Sequence, residues 1–226
     1  MLTDPPAVVA GGSFCVPARR SDALMQMCND ADMPRVISVV NTKGGVGKTT
    51  TTMYLATALA QTKRVVVLDA DPQGSASSWA NDAFDSDQVL PFEVRPANAQ
   101  TFRKVGMIDA DIVVIDTPPG GSQTITAAME AADVVLIPTE SGDMDMDRAI
   151  ATYQVAEGTV RALLFNKATH TRQYRNAREG VRGVAGLVVL DAEVHNRVAY
   201  RDATGTCPRD LGEFAQVAEE LKEMLR

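Results

Sequence analysis

The sequence is poor in cysteine and in aromatic residues. It has three cysteines in 226 residues, and phenylalanine, tyrosine and tryptophan together make up 5%. Cys15, Cys28 and Cys207 are odd in number and lack metal-ligand spacing, which argues against a disulfide framework and a zinc site. The paired cysteines that would ligate an iron–sulfur cluster are also absent from the sequence. We therefore expect free thiols in a reducing cytoplasm.

No apolar run in the sequence approaches the length of a membrane span. Runs such as residues 134–138 and 187–190 are far shorter than the roughly 20 residues required. The N-terminus has Asp4 and two prolines where a secretory signal would have a basic segment, so we do not expect a secretory signal. Residues 211–226 are amphipathic, but four glutamates outnumber two basic residues, which disfavours contact with anionic lipid. These features predict a cytoplasmic protein that does not bind membranes.

The charge balance is acidic. A net charge of -7 excludes a uniformly basic nucleic-acid binder, although it allows a local basic patch. The length and the 45% hydrophobic content fit one compact domain with a short appendage. Residues 1–34 contain prolines and glycines and no strand pattern, so they are expected to form a flexible extension that could dock a partner, with one short helix at 21–28. The folded domain is predicted at 35–226.

Seven short β-branched runs alternate with helical patterns from residue 35 onward. Most of the runs are continuously apolar, which is typical of strands buried on both faces. This alternation predicts a doubly wound α/β fold, with a mostly parallel sheet between two layers of helices. The predicted strands are 36–40, 65–68, 92–94, 112–115, 134–137, 162–165 and 187–190, and the predicted helices are 48–61, 75–81, 97–105, 122–132, 145–155, 171–184, 196–203 and 211–225.

A glycine-rich loop, KGGVGKTT at residues 43–50, lies between the first predicted strand and helix. In this context glycines let consecutive N–H groups curve around phosphate oxygens at a helix N-terminus. Lys48 would contact the β and γ phosphates, Thr49 would ligate Mg²⁺, and Thr50 would contact the α phosphate. A glycine-rich turn without a ligand is the alternative, which the eight-residue match disfavours. The other predicted nucleotide-binding residues of the loop are Gly44, Gly45, Val46 and Gly47.

Two carboxylate motifs follow predicted strands. The sequence DADPQGS places Asp69 and Asp71 after the second strand, where α/β folds bind ligands. Asp71 would orient an attacking water and Asp69 would support the loop, whereas the alternative is a capped turn. Asp116 ends the apolar run IVVID, as in a Walker B motif, and would hold Mg²⁺ through a water. Residues 118–121 would sense the γ phosphate.

The KGGVGKTT loop resembles the deviant Walker A box of the ParA/MinD ATPases, and the two acidic motifs extend this resemblance over residues 35–226. The resemblance implies a P-loop NTPase fold of about seven strands, with ATP and Mg²⁺ as cofactors. It further implies a homodimer with ATP sandwiched at its interface, and slow hydrolysis to ADP and phosphate that a partner stimulates. Lys43 would then reach the nucleotide of the partner subunit and take part in catalysis.

Two further positions follow from the resemblance. Asn166, at the end of the sixth strand, would hydrogen-bond adenine, and a simple strand-ending turn is the alternative. Residues 138–143 depart from the family's usual P-x-x-P-S pattern, in a loop that lies near the nucleotide and the dimer interface in the family.

Basic residues concentrate in one part of the sequence. Residues 161–182 contain six Lys or Arg and one acidic residue. This local excess of positive charge is typical of a surface that contacts DNA phosphates. Arg172, Arg175 and Arg178 are spaced three apart and are predicted to share one helical face, which Arg197 and Arg201 would extend. A solvated helix face is the alternative.

The resemblance leaves the biological task open. We predict a ParA-type ATPase, without a winged-helix domain, that binds double-stranded DNA non-specifically in its ATP state. It would associate with the nucleoid and partition a plasmid or chromosome with a ParB-like partner. The alternative is a ParA-like ATPase that positions a protein cargo, such as a chemoreceptor cluster or a microcompartment, on the nucleoid.

Overall fold

A seven-stranded parallel sheet organises the part of the chain that this computed structural model describes, namely residues 33–169, 171–182 and 184–226. The order of strands across the sheet is β3-β2-β4-β1-β5-β6-β7, and every neighbouring pair is parallel. The strands are β1 (Arg35–Val39), β2 (Val65–Asp69), β3 (Glu93–Pro96), β4 (Ile112–Asp116), β5 (Val134–Thr139), β6 (Val160–Ala168) and β7 (Val189–His195).

Helices cover both faces of the sheet. The helices α1, α2, α7 and α8 contribute to the buried core on one face, and α3 to α6 contribute to the core on the other. This arrangement confirms the doubly wound α/β class. The helices are α1 (Lys48–Leu59), α2 (Ser75–Asp85), α3 (Ala99–Phe102), α4 (Gln123–Ala131), α5 (Asp143–Val155), α6 (Arg172–Arg182), α7 (Val198–Asp202) and α8 (Phe214–Met224).

The central strands follow the expected sequence pattern, while the edge strand β7 departs from it. All residues of β2 and β4 are buried, so their apolar runs are continuous. In β7, more exposed residues alternate with buried ones, and the strand continues five residues past the predicted end at 190. An edge strand buries less of its surface, so its period-two pattern gives no continuous apolar run.

Aromatic packing joins the helices of the first layer. Tyr54 of α1 lies at the centre, with ring centroids 4.9 Å from both Tyr200 and Phe214 and 6.4 Å from Trp79. The indole of Trp79 donates a hydrogen bond to the Thr206 carbonyl at 2.7 Å. These contacts fix α2, α7 and α8 against α1, the helix that begins at the glycine-rich loop.

The strand order creates a crevice at the carboxyl ends of β1 and β4. From β1 the chain passes through α1 to β2 on one side, whereas from β4 it passes through α4 to β5 on the other. Ligands of open α/β sheets bind at such a switch point. The strand register places Asp116 beside both Val39 and Asp69, so the glycine-rich loop and both acidic motifs meet there.

Two sequence-based expectations concern other parts of the chain. The predicted N-terminal extension at residues 1–34, with its short helix, lies outside the described residues except for Met33 and Pro34. Of the helices that the structure describes, none has the length and apolar character needed to cross a bilayer.

Candidate functional site

The glycine-rich loop forms a cradle of backbone donors in front of α1. Gly45 and Gly47 have φ values of 77° and 87°, and Gly47 is the N-cap of α1. A Cβ atom at Gly47 would lie 2.5 Å from the Asn166 side-chain nitrogen, so only glycine fits at this position. In the described part of the chain, the N–H groups of Gly44, Gly45, Val46 and Gly47 donate no hydrogen bond. Four free donors at a helix N-terminus fit a bound phosphate group.

Lys48 places a buried ammonium group beside this cradle. Its Nζ donates to the Lys43 carbonyl oxygen at 3.1 Å, its one hydrogen bond within the described residues. Burial lowers the pKa of Lys48, while the charges of Asp116 and Asp71 raise it in part. An ammonium group has three donors, so two remain for phosphate oxygens, and an anion would offset the cost of burying the charge.

Thr49 and Asp116 form a pair of oxygen ligands below the cradle. The Thr49 hydroxyl donates to Asp116 Oδ2 at 2.7 Å, and Thr52 donates to Oδ1 at 3.4 Å. Burial raises the pKa of Asp116 to about 7, although the Thr49 hydrogen bond favours the ionised form. A divalent cation would favour that form far more strongly. Thr49 and Asp116 therefore fit a Mg²⁺ site that phosphate oxygens and waters would complete.

Asp69 holds the loop that carries Asp71. The buried Asp69 carboxylate accepts from the Ser77 amide at 2.8 Å and hydroxyl at 2.7 Å, and from the Asp71 amide at 3.2 Å. Asp71 is half-buried and accepts from the Gln73 amide at 2.9 Å through Oδ1. Its Oδ2 accepts no hydrogen bond from the described residues and is available to a water.

Asn41 is a site residue that the sequence analysis missed. Its Nδ2 donates to the Pro138 carbonyl at 2.8 Å, and its Oδ1 accepts from the Lys43 amide at 2.8 Å. It therefore ties the start of the glycine-rich loop to the end of β5. The only sequence signal is its place as the first polar residue after the apolar run of β1.

The loop after β4 also contacts the glycine-rich loop. The Gly120 amide donates to the Thr42 carbonyl at 2.7 Å, and the Thr117 hydroxyl donates to the Val39 carbonyl at 2.8 Å. This loop contains residues 118–121, which the sequence predicts to sense the γ phosphate. Its contact with Thr42 puts it beside the cradle, and its role in sensing the γ phosphate stays a prediction.

Two lysines at the mouth of the cradle pair with acids that follow β5, one in the loop before α5 and one in the first turn of α5. Lys43 Nζ lies 2.6 Å from Asp145 Oδ1. Lys167, which the sequence analysis did not single out, lies 2.8 Å from Glu140 Oε1 and 2.6 Å from the Gly45 carbonyl oxygen. Lys167 thus joins the loop that departs from the family pattern to the glycine-rich loop, and Lys43 joins the glycine-rich loop to the start of α5.

The remaining nucleotide-binding candidates lie at the same end of the sheet. Asn166 is buried, and its Nδ2 donates to the Val46 carbonyl at 2.7 Å. Its amide thus contacts the glycine-rich loop, and its hydrogen bond to adenine stays a prediction. Thr50 is half-buried in the first turn of α1.

The predicted arginine face needs a correction. Arg172 and Arg175 are exposed on α6, whereas Arg178 forms an ion pair with Glu193 of β7, and its side chain is only 18% exposed. Residues six apart differ by about 120° around a helix, so Arg172 and Arg178 cannot share a narrow face. Arg201 is exposed on α7, while Arg197 pairs with Glu213 and remains 47% exposed.

Comparison with known proteins gives a family match and relatives that align over about half to nearly all of their length. A family model described as the CobQ/CobB/MinD/ParA nucleotide-binding domain matches residues 37–206. The chain is 42% identical to the maintenance of carboxysome distribution protein A of Gloeobacter kilaueensis, over 83% of this chain and 94% of that protein. It is 31% identical to the chromosome partitioning protein ParA of Caulobacter vibrioides, over 47% of this chain and 56% of that protein.

Solved structures share the fold at lower identity. A Cyanothece McdA variant in complex with ATP has a TM-score of 0.68 at 19% identity, covering 86% of this chain and 97% of that chain. The septum site-determining protein MinD of Pyrococcus horikoshii, complexed with Mg-ADP, has a TM-score of 0.66 at 20% identity, covering 85% and 97%. Both comparisons support the P-loop NTPase fold.

Proposed function

Because the chain belongs to the CobQ/CobB/MinD/ParA nucleotide-binding family, which includes the ParA and MinD ATPases, we propose that it is a Mg²⁺-dependent ATPase that dimerises around ATP. The observation that carries this proposal is the cradle itself. Four free backbone N–H groups, the buried Lys48 ammonium and the Thr49–Asp116 pair converge at the carboxyl ends of β1 and β4. Together they offer the hydrogen-bond donors that the phosphates of a nucleoside triphosphate require and the ligands for its Mg²⁺ ion.

Each site residue has a distinct role in this proposal. Lys48 and the loop amides bind the β and γ phosphates, Thr50 contacts the α phosphate, and Thr49 with Asp116 holds Mg²⁺, which neutralises charge on the transferred phosphoryl group. Asp71 orients a water in line with the γ phosphorus. The water oxygen bonds to phosphorus as the bond to the bridging oxygen breaks, so ADP and phosphate are released.

We further propose that the ATP-bound dimer binds DNA non-specifically and positions a cargo along the DNA of the nucleoid. Arg172, Arg175 and Arg201 support this proposal because they are exposed on α6 and α7 and are free of ion pairs with other described residues. Phosphate contacts of this kind supply most non-specific affinity. A partner protein on the cargo would stimulate hydrolysis and release.

A protein assembly of the carboxysome kind is the cargo that we favour. The relative named for carboxysome distribution matches over 94% of its length at 42% identity. Plasmid or chromosome partition with a ParB-like partner is the second candidate, supported by the Caulobacter ParA relative, which matches over 56% of its length. The preference between the two tasks therefore changes from the one that the sequence motifs suggested.

Light scattering tests the nucleotide-gated dimer. The purified chain should double its mass with ATP and Mg²⁺ but not with ADP, and Lys43→Ala should abolish the change. A wild-type chain that stays monomeric with ATP would contradict the proposal.

Deletion of the gene in its source cell distinguishes the two cargoes. A protein-cargo role predicts clustered or unevenly inherited assemblies and normal inheritance of DNA, whereas a partition role predicts cells that lose a plasmid or a chromosome. Complementation with the wild-type chain should restore the distribution, and Lys48→Ala should fail to do so.

A further inference from the structure

Two consecutive residues at the end of β6 hold two consecutive carbonyl groups of the glycine-rich loop. The Asn166 side chain donates to the Val46 carbonyl at 2.7 Å, and the Lys167 ammonium donates to the Gly45 carbonyl at 2.6 Å. The Lys167 amide in turn donates to Asn166 Oδ1 at 2.9 Å, which fixes the orientation of the Asn166 side-chain amide. Both loop carbonyls are therefore held from the side of β6.

Fixing these carbonyls also fixes the direction of two N–H groups. The described peptide bonds are trans and planar, so the carbonyl of one residue and the N–H of the next point in opposite directions. Lys167 holds the Gly45 carbonyl toward β6. The Val46 N–H of the same peptide bond therefore points away from β6. The Asn166 contact with Val46 does the same for the Gly47 N–H. Both N–H groups are among the free donors of the cradle.

An unusual backbone conformation makes this arrangement possible. Lys167 has a φ of 52°, a value that non-glycine residues adopt rarely and at an energetic cost. Consecutive side chains of a regular strand point to opposite faces, so an extended Lys167 would direct its side chain away from that of Asn166. The left-handed turn lets both residues reach the same loop.

Glu140 holds the Lys167 ammonium in place. Its Oε1 lies 2.8 Å from Nζ, and the two side chains are 31% and 40% exposed. Glu140 belongs to the loop between β5 and α5, and Asp145 in the first turn of α5 pairs with Lys43. Holding the Lys167 side chain between two partners costs conformational entropy, which the free energy of its contacts must offset.

We propose that Lys167, held by Glu140, is a positioning residue of the phosphate loop: it fixes the Gly45 carbonyl and thereby aims the Val46 N–H at a bound phosphate. The inference rests on the proposed nucleotide site, but it does not depend on DNA binding, on the cargo or on the dimer. It assigns Lys167 to the binding of both ADP and ATP, because both nucleotides carry a phosphate in the cradle.

The test measures the affinity of the full chain for fluorescently labelled ADP and the steady-state hydrolysis of ATP. Lys167→Met should raise the dissociation constant for ADP about tenfold, as expected for the loss of one charged hydrogen bond. The KM for ATP should rise by a similar factor, while kcat changes less than about threefold. Lys167→Arg, which keeps a charged donor, should restore ADP affinity to within about threefold of the wild type.

Controls separate positioning from general stability. Lys222→Met removes another lysine that is paired with a glutamate, on α8, and should leave ADP affinity unchanged. Glu140→Gln should raise the dissociation constant about threefold, with a melting temperature close to that of the wild type. If Lys167→Met is too unstable to measure, Glu140→Gln decides the question.

An ADP affinity of Lys167→Met equal to that of the wild type would overturn the positioning role. If Lys167→Met cannot be measured, a wild-type affinity of Glu140→Gln would overturn it. Failure of DNA binding in a wild-type chain that binds ADP would instead contradict the proposed function alone. A wild-type chain that binds no nucleotide would overturn both.

Discussion

Lys43 and Asp145 form an ion pair within one subunit, with 2.6 Å between Nζ and Oδ1. In the proposed ATP dimer Lys43 would reach the nucleotide of the partner subunit, as the resemblance to ParA and MinD implies, so this pair would have to separate first. Asp145→Asn should remove this competition in both subunits and lower the protein concentration for half-maximal ATP-dependent dimerisation by about two- to thirtyfold, because each partly exposed pair contributes about 0.2 to 1 kcal/mol. Analytical ultracentrifugation with ATP measures the change.

The matched control is Asp143→Asn. Asp143 is in the same first turn of α5 but is exposed and does not pair with Lys43. The Asp143→Asn variant should therefore dimerise at the same protein concentration as the wild type. Weaker dimerisation of Asp145→Asn would show that Asp145 supports the dimer rather than holding Lys43 back.

Lys48→Ala should abolish nucleotide binding. The variant loses the buried ammonium group beside the cradle, and a charged contact with phosphate at a buried site has a large effect. Isothermal titration should show at least a hundredfold loss of ATP affinity, equal to about 2.7 kcal/mol. Lys63→Ala, at an exposed position after α1, should bind normally. ATP affinity of Lys48→Ala within tenfold of the wild type would contradict the assigned role.

Asp71→Ala should separate binding from hydrolysis. The variant keeps Lys48 and the Thr49–Asp116 pair, so it should bind ATP within about threefold of the wild type. Without the carboxylate that orients water, phosphate release should fall about a hundredfold, and the ATP dimer should persist. Asp85→Ala at the far end of α2 is the control, because this residue is exposed. A variant that binds ATP but cannot dimerise would disprove the role in water positioning.

Arg172→Ala with Arg175→Ala should weaken DNA binding and its dependence on salt. Each lost phosphate contact reduces the slope of log affinity against log salt by about 0.9, so the double variant should lose about 1 to 2. Fluorescence anisotropy with a labelled duplex across a salt series measures this slope. An unchanged slope would place the DNA contacts elsewhere.

Arg178→Ala is the contrasting variant on the same helix. Arg178 pairs with Glu193 and is mostly buried, so its loss should cost about 1 kcal/mol of stability and leave the salt slope intact. A thermal melt and the same anisotropy titration test both halves of this prediction. A reduced slope in this variant would show that Arg178 contacts DNA.

The sequence predicted the central strands and the meeting of three motifs at one candidate nucleotide site because both depend on local patterns. Apolar runs mark strands that are buried on both faces, and the carboxyl ends of parallel strands meet at one edge of the sheet. This is why Lys48, Thr49, Asp71 and Asp116 could be assigned to one site from three separate motifs.

Contacts between elements that are distant in the chain could not be predicted in this way. The pairing of Arg178 with Glu193 depends on how α6 packs beside β7, and helical spacing alone does not determine that packing. Lys167 reaches Gly45 only because its backbone is left-handed, and nothing in the local sequence marks that conformation. Asn41 and Asp145 likewise act through residues far away in the chain.

The most direct test of the central claim is the retardation of DNA by the purified chain with ATP, with ADP and without nucleotide, at low and high salt. The account predicts retardation only with ATP and Mg²⁺, its loss at high salt, and no retardation by Lys48→Ala in any state. Equal retardation in all three nucleotide states would contradict an ATP-gated DNA binder. No retardation in any state, with ATP dimers still present, would remove DNA from the account.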